Sequence, residues 1–322
     1  MPKLKVVFLD RATIPSQINL KPLSFEHEWI EYDFTTPEQV SERVEGADVV
    51  ITNKVVLNGS NLGQAHQLKL LAVSATGVNN VDVAYCKSNN IAVTNVQGYA
   101  TQSVPEHVIA MLFALKRNLV GYHKDIEAGE WQKDKQFCFF THPIQDVAGS
   151  TLGLMGSGSL GQATAILAKA IGMNVIFAER KGAEACREGY LPFETVLQQA
   201  DAISLHCPLT EATRNLISDH ELAMMKPSAV LINAGRGGLV DEQALIEALK
   251  HNEIAGAGMD VFTQEPADNS NPLLANSHLP NLLLTPHVAW GSDSSIQKLS
   301  DILMDNIDGF IAGRPQNIVN SL

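Results

Sequence analysis

A glycine-rich turn between a strand-like run and a helix-like run constrains the fold of this chain more than any other feature. The strand-like run is Thr151 to Met155, and the helix-like run, rich in alanine and leucine, is Gln162 to Ile171. Between them stand Gly156, Gly158 and Gly161 with the spacing G-x-G-x-x-G. In a strand–turn–helix unit, these glycines permit a tight turn, a close backbone approach to a pyrophosphate and close helix packing. The segment therefore predicts a dinucleotide site.

An acidic residue follows at the distance expected for a ribose contact. The next apolar run, Asn174 to Ala178, leads into Glu179, 18 residues after Gly161. A carboxylate at this place binds the 2′-hydroxyl of the adenosine ribose, so we expect NAD as the cofactor. The neighbouring Arg180 and Lys181 leave NADP open as the alternative, because they could bind a 2′-phosphate.

Short apolar runs alternate with helical stretches in two series, a pattern typical of parallel sheets. The first series has predicted strands at Lys5–Asp10, Asp48–Asn53, Leu68–Ser74 and Ile91–Asn95, and helices at Pro37–Val44 and Val81–Ser88. The second continues from the glycine turn through Ala202–His206, Ala229–Asn233, Ala257–Val261 and Leu282–Thr285. Single long helices are predicted at Val104–Glu127 and Ser294–Ala312.

This pattern predicts the α/β class, with two Rossmann-like, doubly wound parallel-sheet domains and a cleft between them. We expect a flavodoxin-like substrate domain over residues 1–99, completed by 288–322, and an NAD-binding domain over 100–287. Hinges are expected near 99–103 and 288–291, and domain closure would exclude water from the reaction.

Composition narrows the classes of function. The net charge of −12 and the lack of a basic stripe argue against a nucleic-acid partner. No apolar run approaches membrane-spanning length, and Met1–Asp10 contains too short a run for a signal peptide. Four scattered cysteines have no metal-ligand spacing, so we expect reduced thiols, no metal and a cytoplasmic protein.

Three polar residues follow successive strands of the second series, at the edge where open α/β sheets bind ligands. Arg236 could bind a carboxylate through two parallel hydrogen bonds; alternatively, it could be an exposed loop arginine. Glu265 and His287, taken singly, would be a solvated acid and a packed or surface histidine. A cation, a carboxylate and an imidazole at equivalent strand ends beside a nicotinamide can instead converge on one substrate.

Long motifs carry a resemblance that covers essentially the whole chain. The chain resembles the D-isomer-specific 2-hydroxyacid dehydrogenase family, and within it the branch acting on hydroxypyruvate and D-glycerate. The matching segments are the glycine turn, Asn233–Glu242, Gly258–Phe262 with Glu265-Pro266, and Thr285–Ala289; the branch is suggested by Ser103–His107, Lys135–Cys138 and His287–Trp290. Two departures are Gly235, where relatives commonly have alanine, and Glu179 in place of aspartate.

The resemblance implies roles for further residues. It makes Arg236, Glu265 and His287 the catalytic set. Of these, Arg236 and His287 would also hold the substrate, together with Ala75, Thr76, Gly77 and Val78. Val104 would approach the nicotinamide, the Leu160 amide would bind the pyrophosphate, and Asp260 would bind the carboxamide, although a buried capping role competes for Asp260. The full expected cofactor set is Val104, Gly156, Gly158, Ser159, Leu160, Gly161, Glu179, His206, Cys207, Pro208, Ala234, Gly235, Arg236, Asp260 and His287.

The expected activity is NAD-dependent interconversion of a small 2-keto acid and its D-2-hydroxy acid. Reduction needs a hydride at C2 and a proton on the forming alkoxide, so His287 is the expected general acid. Glu265 should favour the imidazolium form and hold its tautomer. Glyoxylate, D-lactate and 3-phosphoglycerate are alternative substrates, and a dinucleotide-sensing regulatory protein is the alternative class. The resemblance also implies a homodimer, with the helix from Val104 in the interface.

Overall fold

The chain divides into two compact units. The structure, a computed structural model, describes residues 3 to 320. One unit extends up to Tyr99 and resumes at Gly291, and the other runs from Ala100 to Trp290. The chain re-enters the first unit only after Trp290, because the backbone N–H groups of Val288 and Ala289 donate to Asp260 of the second unit. None of the helices within the described range is both long and apolar enough to cross a bilayer.

The first unit contains a parallel sheet in the order β2-β1-β3-β4-β5, which is the flavodoxin-like order. Its elements are β1 (Leu4–Phe8), β2 (His27–Glu31), α1 (Val40–Val44), β3 (Val49–Thr52), α2 (Gly59–Leu62), β4 (Leu70–Val73), α3 (Val83–Ser88) and β5 (Ala92–Thr94), with 3-10 turns at Arg11–Thr13 and Pro37–Gln39. Every residue of β3, β4 and β5 is buried, which explains their continuous apolar runs. The sequence did not predict β2, because this edge strand carries His27, Glu28 and Glu31.

The second unit contains a seven-stranded parallel sheet. Its elements are α4 (Ser103–Lys116), α5 (Leu119–Glu127), α6 (Glu130–Asp134), β6 (Thr151–Met155), α7 (Ser159–Ala170), β7 (Asn174–Ala178), β8 (Tyr190–Leu191), α8 (Phe193–Gln199), β9 (Ala202–Leu205), α9 (Asp219–Met224), β10 (Val230–Asn233), α10 (Glu242–Lys250), β11 (Gly256–Met259), α11 (Pro272–Ala275) and β12 (Leu282–Leu284). The last helix, α12 (Asp293–Ile311), belongs to the first unit.

The strand order of the second unit is that of a doubly wound dinucleotide-binding sheet. Read from β8, the order is β8-β7-β6-β9-β10-β11-β12, so the chain reverses direction across the sheet between β6 and β9. Ligands of such sheets bind outside the carboxyl ends of the strands at this switch point. The predicted α/β class and parallel sheets are confirmed, while the two-residue strand β8 was not predicted.

The prediction of one helix from Val104 to Glu127 was wrong. Asn118 adopts a left-handed backbone conformation (φ 49°) between α4 and α5, and its side chain donates to the carbonyl of Pro143. Just before it, the Lys116 ammonium turns inward to Gln145 (2.6 Å) and the Ser228 carbonyl (3.0 Å). The apolar period continues through the break, so the pattern alone could not reveal it.

Candidate active site

The glycine turn has the shape that a pyrophosphate requires. Gly156 adopts φ +112°, and a Cβ added to it would lie 2.6 Å from the backbone of His206. A Cβ at Gly161 would lie 2.1 Å from the Gly156 carbonyl, whereas one at Gly158 would meet nothing within 4 Å. The turn is therefore closed toward the protein and open at Gly158, where a ligand can approach the backbone.

Helix α7 presents its N-terminus at this open side. It begins at Ser159, three residues before the predicted start, and the Leu160 amide lies in its first turn. Its cap residue, Gly158, offers no side chain to the first N–H groups. A helix N-terminus with unpaired N–H groups binds phosphate, so the turn and helix fit the pyrophosphate of a dinucleotide.

Glu179 follows β7 as a buried, ionised carboxylate. The guanidinium of Arg187 donates to both of its oxygens, at 2.7 and 2.9 Å, and the Arg180 N–H donates at 2.9 Å. These hydrogen bonds, led by that of Arg187, lower the pKa of Glu179 to about 2. An ionised oxygen at this place can accept from a ribose hydroxyl, and the ribose contact of Glu179 stays a prediction.

Arg187 escaped the sequence prediction because it lies in a loop, eight residues after its partner. Its guanidinium stacks on the Tyr190 ring at 3.8 Å, and the Tyr190 hydroxyl donates to Ser157 in the glycine turn at 2.5 Å. Lys181, suggested by the sequence as a 2′-phosphate ligand, instead pairs with Glu221 at 2.9 Å.

The remaining expected cofactor residues lie in different surroundings. His206 follows β9, and its Nε2 forms a hydrogen bond of 2.9 Å with the Ser204 hydroxyl. Burial lowers the pKa of His206 to about 4. Burial also raises the pKa of the adjacent Cys207, while Pro208 is exposed. Val104 is buried in the first turn of α4. Their cofactor contacts stay predictions.

Arg236 lies in a loop that the last residue of β10 holds in shape. The buried Asn233 side chain donates to the Arg236 carbonyl at 2.9 Å and accepts from the Gly235 N–H at 3.1 Å. The Arg236 guanidinium itself donates to the Gly235 carbonyl at 2.8 Å. Asn233 was not predicted as a site residue, although a polar residue ending a buried apolar strand is a usable signal. A Cβ at Gly235 would approach the Leu205 carbonyl to 3.0 Å, so alanine there needs a small shift.

Glu265 and His287 form a direct hydrogen-bonded pair. Oε2 of Glu265 lies 2.6 Å from Nδ1 of His287, and Oε1 accepts from the Phe262 N–H at 3.0 Å. Both side chains are about 30% exposed, at 31% and 27%. With Nδ1 turned to the carboxylate, Nε2 is the ring nitrogen that can face a substrate.

The three expected catalytic residues follow three neighbouring strands. Arg236 comes after β10, Glu265 after β11 and His287 after β12, and these strands are adjacent in the sheet. The structure joins Glu265 and His287 directly, while Arg236 is held within its own loop. The loops of Arg236 and Glu265 are tightly packed, because a Cβ at Gly237 would lie 1.7 Å from the Phe262 carbonyl.

Asp260 anchors the loop that carries His287. Its fully buried carboxylate accepts from the Thr285 hydroxyl and the Val288 N–H on Oδ1, at 2.6 and 2.9 Å, and from the Ala289 N–H on Oδ2, at 3.0 Å. His287 has a left-handed backbone (φ 55°), a conformation that a non-glycine residue keeps only when its surroundings impose it. This geometry favours the capping role for Asp260, and carboxamide binding stays a prediction.

The predicted substrate loop lies in the first unit, directly after β4. Thr76 donates to the Val96 carbonyl at 2.8 Å, and the Asn95 side chain donates to the Thr76 carbonyl at 2.7 Å. The Ala75 carbonyl accepts from the Val96 N–H at 3.0 Å. These bonds fix the loop at Ala75 and Thr76, and the role of Ala75, Thr76, Gly77 and Val78 in binding substrate stays a prediction.

Comparison with known proteins agrees with this geometry. Residues 109–289 match the family model described as D-isomer specific 2-hydroxyacid dehydrogenase, NAD binding domain. A putative 2-hydroxyacid dehydrogenase of Haemophilus influenzae is 50% identical over 96% of this chain and 98% of its own. A glycerate dehydrogenase of Methylorubrum extorquens is 47% identical over 98% of this chain and 99% of its own.

A solved structure extends the similarity to the fold. The NAD-complexed D-isomer specific 2-hydroxyacid dehydrogenase of Lactobacillus delbrueckii ssp. bulgaricus is 27% identical, with a TM-score of 0.77 over 98% of this chain and 100% of its own. The family match and the two relatives cover both the glycine turn and the strand ends that carry Arg236, Glu265 and His287. The chain therefore belongs to the family of D-isomer specific 2-hydroxyacid dehydrogenases, NAD-binding oxidoreductases that act on CH–OH donors.

Proposed function

We propose that this protein interconverts hydroxypyruvate and D-glycerate with NAD, and that Arg236, Glu265 and His287 carry the reaction. The observation that carries the proposal is the 2.6 Å pair of Glu265 and His287, next to the strand that bears Arg236. The choice of substrate rests on the 47% identity to the glycerate dehydrogenase of Methylorubrum extorquens. Glyoxylate, D-lactate and 3-phosphoglycerate are the competing substrates.

The chemistry divides between the cofactor and three side chains. NADH, which the glycine turn and Glu179 would hold, would supply the hydride for C2 of the keto acid. Nε2 of His287 gives its proton to the carbonyl oxygen, so the keto acid gains one hydride and one proton. Glu265 then holds the neutral imidazole through Nδ1–H. The Arg236 guanidinium binds the substrate carboxylate and polarises the carbonyl. In the oxidative direction, His287 accepts the hydroxyl proton.

The cofactor preference rests on the surroundings of Glu179. An ionised carboxylate accepts a ribose 2′-hydroxyl, and Lys181 is engaged by Glu221, which lowers the positive charge available to a 2′-phosphate. The Arg187 guanidinium is engaged by the Glu179 carboxylate, which also accepts from the backbone N–H of Arg180. These contacts support NAD over NADP.

The protein is further proposed to be a cytoplasmic homodimer. Its four cysteines are unpaired, which suits a reducing compartment. The stretch from α5 to β6 exposes many large apolar side chains, which suits a subunit contact. These are Leu119, Val120, Ile126, Trp131, Phe137, Phe140 and Ile144. We therefore propose that the dimer contact includes α5, α6 and the segment up to β6, in addition to α4.

The test is NADH oxidation with hydroxypyruvate, glyoxylate, pyruvate and 3-phosphohydroxypyruvate, each repeated with NADPH. We expect the highest kcat/KM for hydroxypyruvate with NADH. A higher value for another keto acid would move the substrate and keep the mechanism. Tight NADH binding without turnover of any keto acid would contradict the proposal and favour the regulatory binding protein, a class that the enzyme names of the relatives do not favour.

A further inference from the structure

The buried carboxylate of Glu242 contacts the segment that carries Glu265. Glu242 is the first residue of α10, just after the cap residue Asp241, and only 8% of it is exposed to solvent. Its Oε1 accepts from the Thr263 N–H at 2.6 Å, and its Oε2 accepts from the Asn271 side-chain amide at 2.7 Å. One carboxylate therefore ties together both ends of the segment 263–271.

Within this segment, Asp268 accepts from the Ser270 N–H, and Ala267 packs against the core of the second unit. Most of its side chains are exposed, so hydrogen bonds set its shape more than apolar packing does. At its far end, Asn271 also caps α11, because its Oδ1 accepts from the N–H groups of Leu273 and Leu274. Asn271 thus has a fixed orientation, with its amide nitrogen directed at Glu242.

The near end of the segment determines where Glu265 lies. Thr263 is two residues before Glu265, and the preceding Phe262 donates its N–H to Oε1 of Glu265. The Phe262 carbonyl packs so closely on Gly237 that a Cβ there would lie 1.7 Å away. A shift of Thr263 would therefore move the Glu265 carboxylate relative to His287.

We infer that Glu242 is a positioning residue for the reaction, because it holds Glu265 at hydrogen-bond distance from Nδ1 of His287 through Thr263 and Asn271. The inference rests on the proposed function of the Glu265–His287 pair. Catalytic groups must be held within roughly 0.5 Å of their productive geometry, and a 1 Å displacement costs on the order of 100-fold in rate. Glu242 itself does not contact the substrate.

A donor–acceptor swap tests this role. In Glu242→Gln the new amide faces the Asn271 amide, and in Asn271→Asp two carboxylates face each other while α11 keeps its cap. In the double variant, the amide nitrogen introduced at position 242 would donate to the carboxylate introduced at position 271. The amide oxygen at position 242 would still accept from the Thr263 N–H, so both contacts are restored. The control is Glu247→Gln on the same helix, whose carboxylate contacts Gln243 and Lys250 at the surface.

We expect each single variant to lower kcat by roughly 10- to 100-fold with a small change in the KM for NADH. We also expect the alkaline fall of keto-acid reduction to move to lower pH, in the direction that we expect when Glu265 is replaced by Gln. The double variant should recover both the rate and the pH profile, and Glu247→Gln should match the unaltered protein.

The inference can be overturned in more than two ways. Single variants that lower the melting temperature but leave the pH profile unchanged would make Glu242 merely structural, as would a folded double variant with no recovery. If a single variant does not fold, the double variant decides by its rate and pH profile. A Glu265→Gln profile that does not move would remove the proposed role of Glu265 and this inference with it. If the pH profile moves in Glu265→Gln but not in the variants of Glu242 and Asn271, only the role of Glu242 is removed.

Discussion

At the scale of single residues, the site depends on side chains that hold other side chains. Glu265 orients His287, Asp260 anchors the left-handed backbone of His287, and Asn233 shapes the loop of Arg236. The Trp290 indole adds a hydrogen bond to the His287 carbonyl at 3.0 Å. Such supporting contacts keep the reacting groups in place before substrate arrives.

Removing the charge of Glu265 should change the pH dependence of the reaction. A carboxylate next to Nδ1 favours the imidazolium form, which is the form that donates the proton in reduction. In Glu265→Gln this charge is lost, so keto-acid reduction should fade at a lower pH than in the unaltered protein. The measurement is kcat/KM against pH for both proteins. An unchanged profile would remove Glu265 from this role.

Because of His206, the free energy of unfolding should decrease as the pH falls. Its pKa is lowered to about 4 by burial, whereas histidine in an unfolded chain titrates near 6.5. Between these values only the unfolded chain binds the proton, so the stabilisation is complete above about pH 6.5 and is lost as the pH falls to about 4. The loss amounts to at most roughly 3 kcal/mol.

Urea unfolding of His206→Gln at several pH values checks this expectation. The variant should lose that part of the pH dependence, while His278→Gln, which removes an exposed histidine of the same unit, should keep it. Equal slopes for His206→Gln and the unaltered protein between pH 4 and 6.5 would contradict the assignment.

At the scale of elements, two glycines in the turn between β6 and α7 serve different purposes, one the packing of the fold and the other the binding of the cofactor. An added Cβ at Gly161 would clash with the Gly156 carbonyl, whereas one at Gly158 has open space. Gly161→Ala should cost about 1–3 kcal/mol of stability as an overpacked site and should also weaken NADH binding. Gly158→Ala should keep its stability and weaken only NADH binding, because the new methyl group enters the pyrophosphate side.

Thermal unfolding and fluorescence titration with NADH measure the two effects separately. Equal stability of both variants would show that the strand–helix packing tolerates the added methyl group at Gly161. Unchanged NADH binding in Gly158→Ala would mean that the pyrophosphate lies elsewhere.

At the scale of the whole molecule, the exposed apolar side chains between α5 and β6 predict self-association. Phe137 is 91% exposed and Phe140 is 77% exposed, an unfavourable arrangement for a lone chain in water. Light scattering should give the mass of two chains. Phe137→Asp should shift the equilibrium toward the monomer, and Phe34→Asp, which changes an exposed phenylalanine of the first unit, should not. A monomeric mass for the unaltered protein would contradict the prediction.

The sequence by itself determined the fold class, and it located the glycine turn and the three strand ends to which we assign cofactor binding and the chemistry. These are local patterns, because a buried parallel strand reads as an apolar run and a glycine turn has a fixed spacing. The strands β2 and β8 and the break at Asn118 were missed, since edge position and side-chain anchoring leave no periodic signal.

Only the tertiary structure decided which groups support the site. Glu179 with Arg187, Asp260 with the 285–289 loop, and Glu242 with Thr263 and Asn271 join residues from different loops and strand ends. A carboxylate looks the same in the sequence whether water or a buried N–H group surrounds it. Its partner depends on how the strands are ordered in space, and that order is a property of the packed sheet.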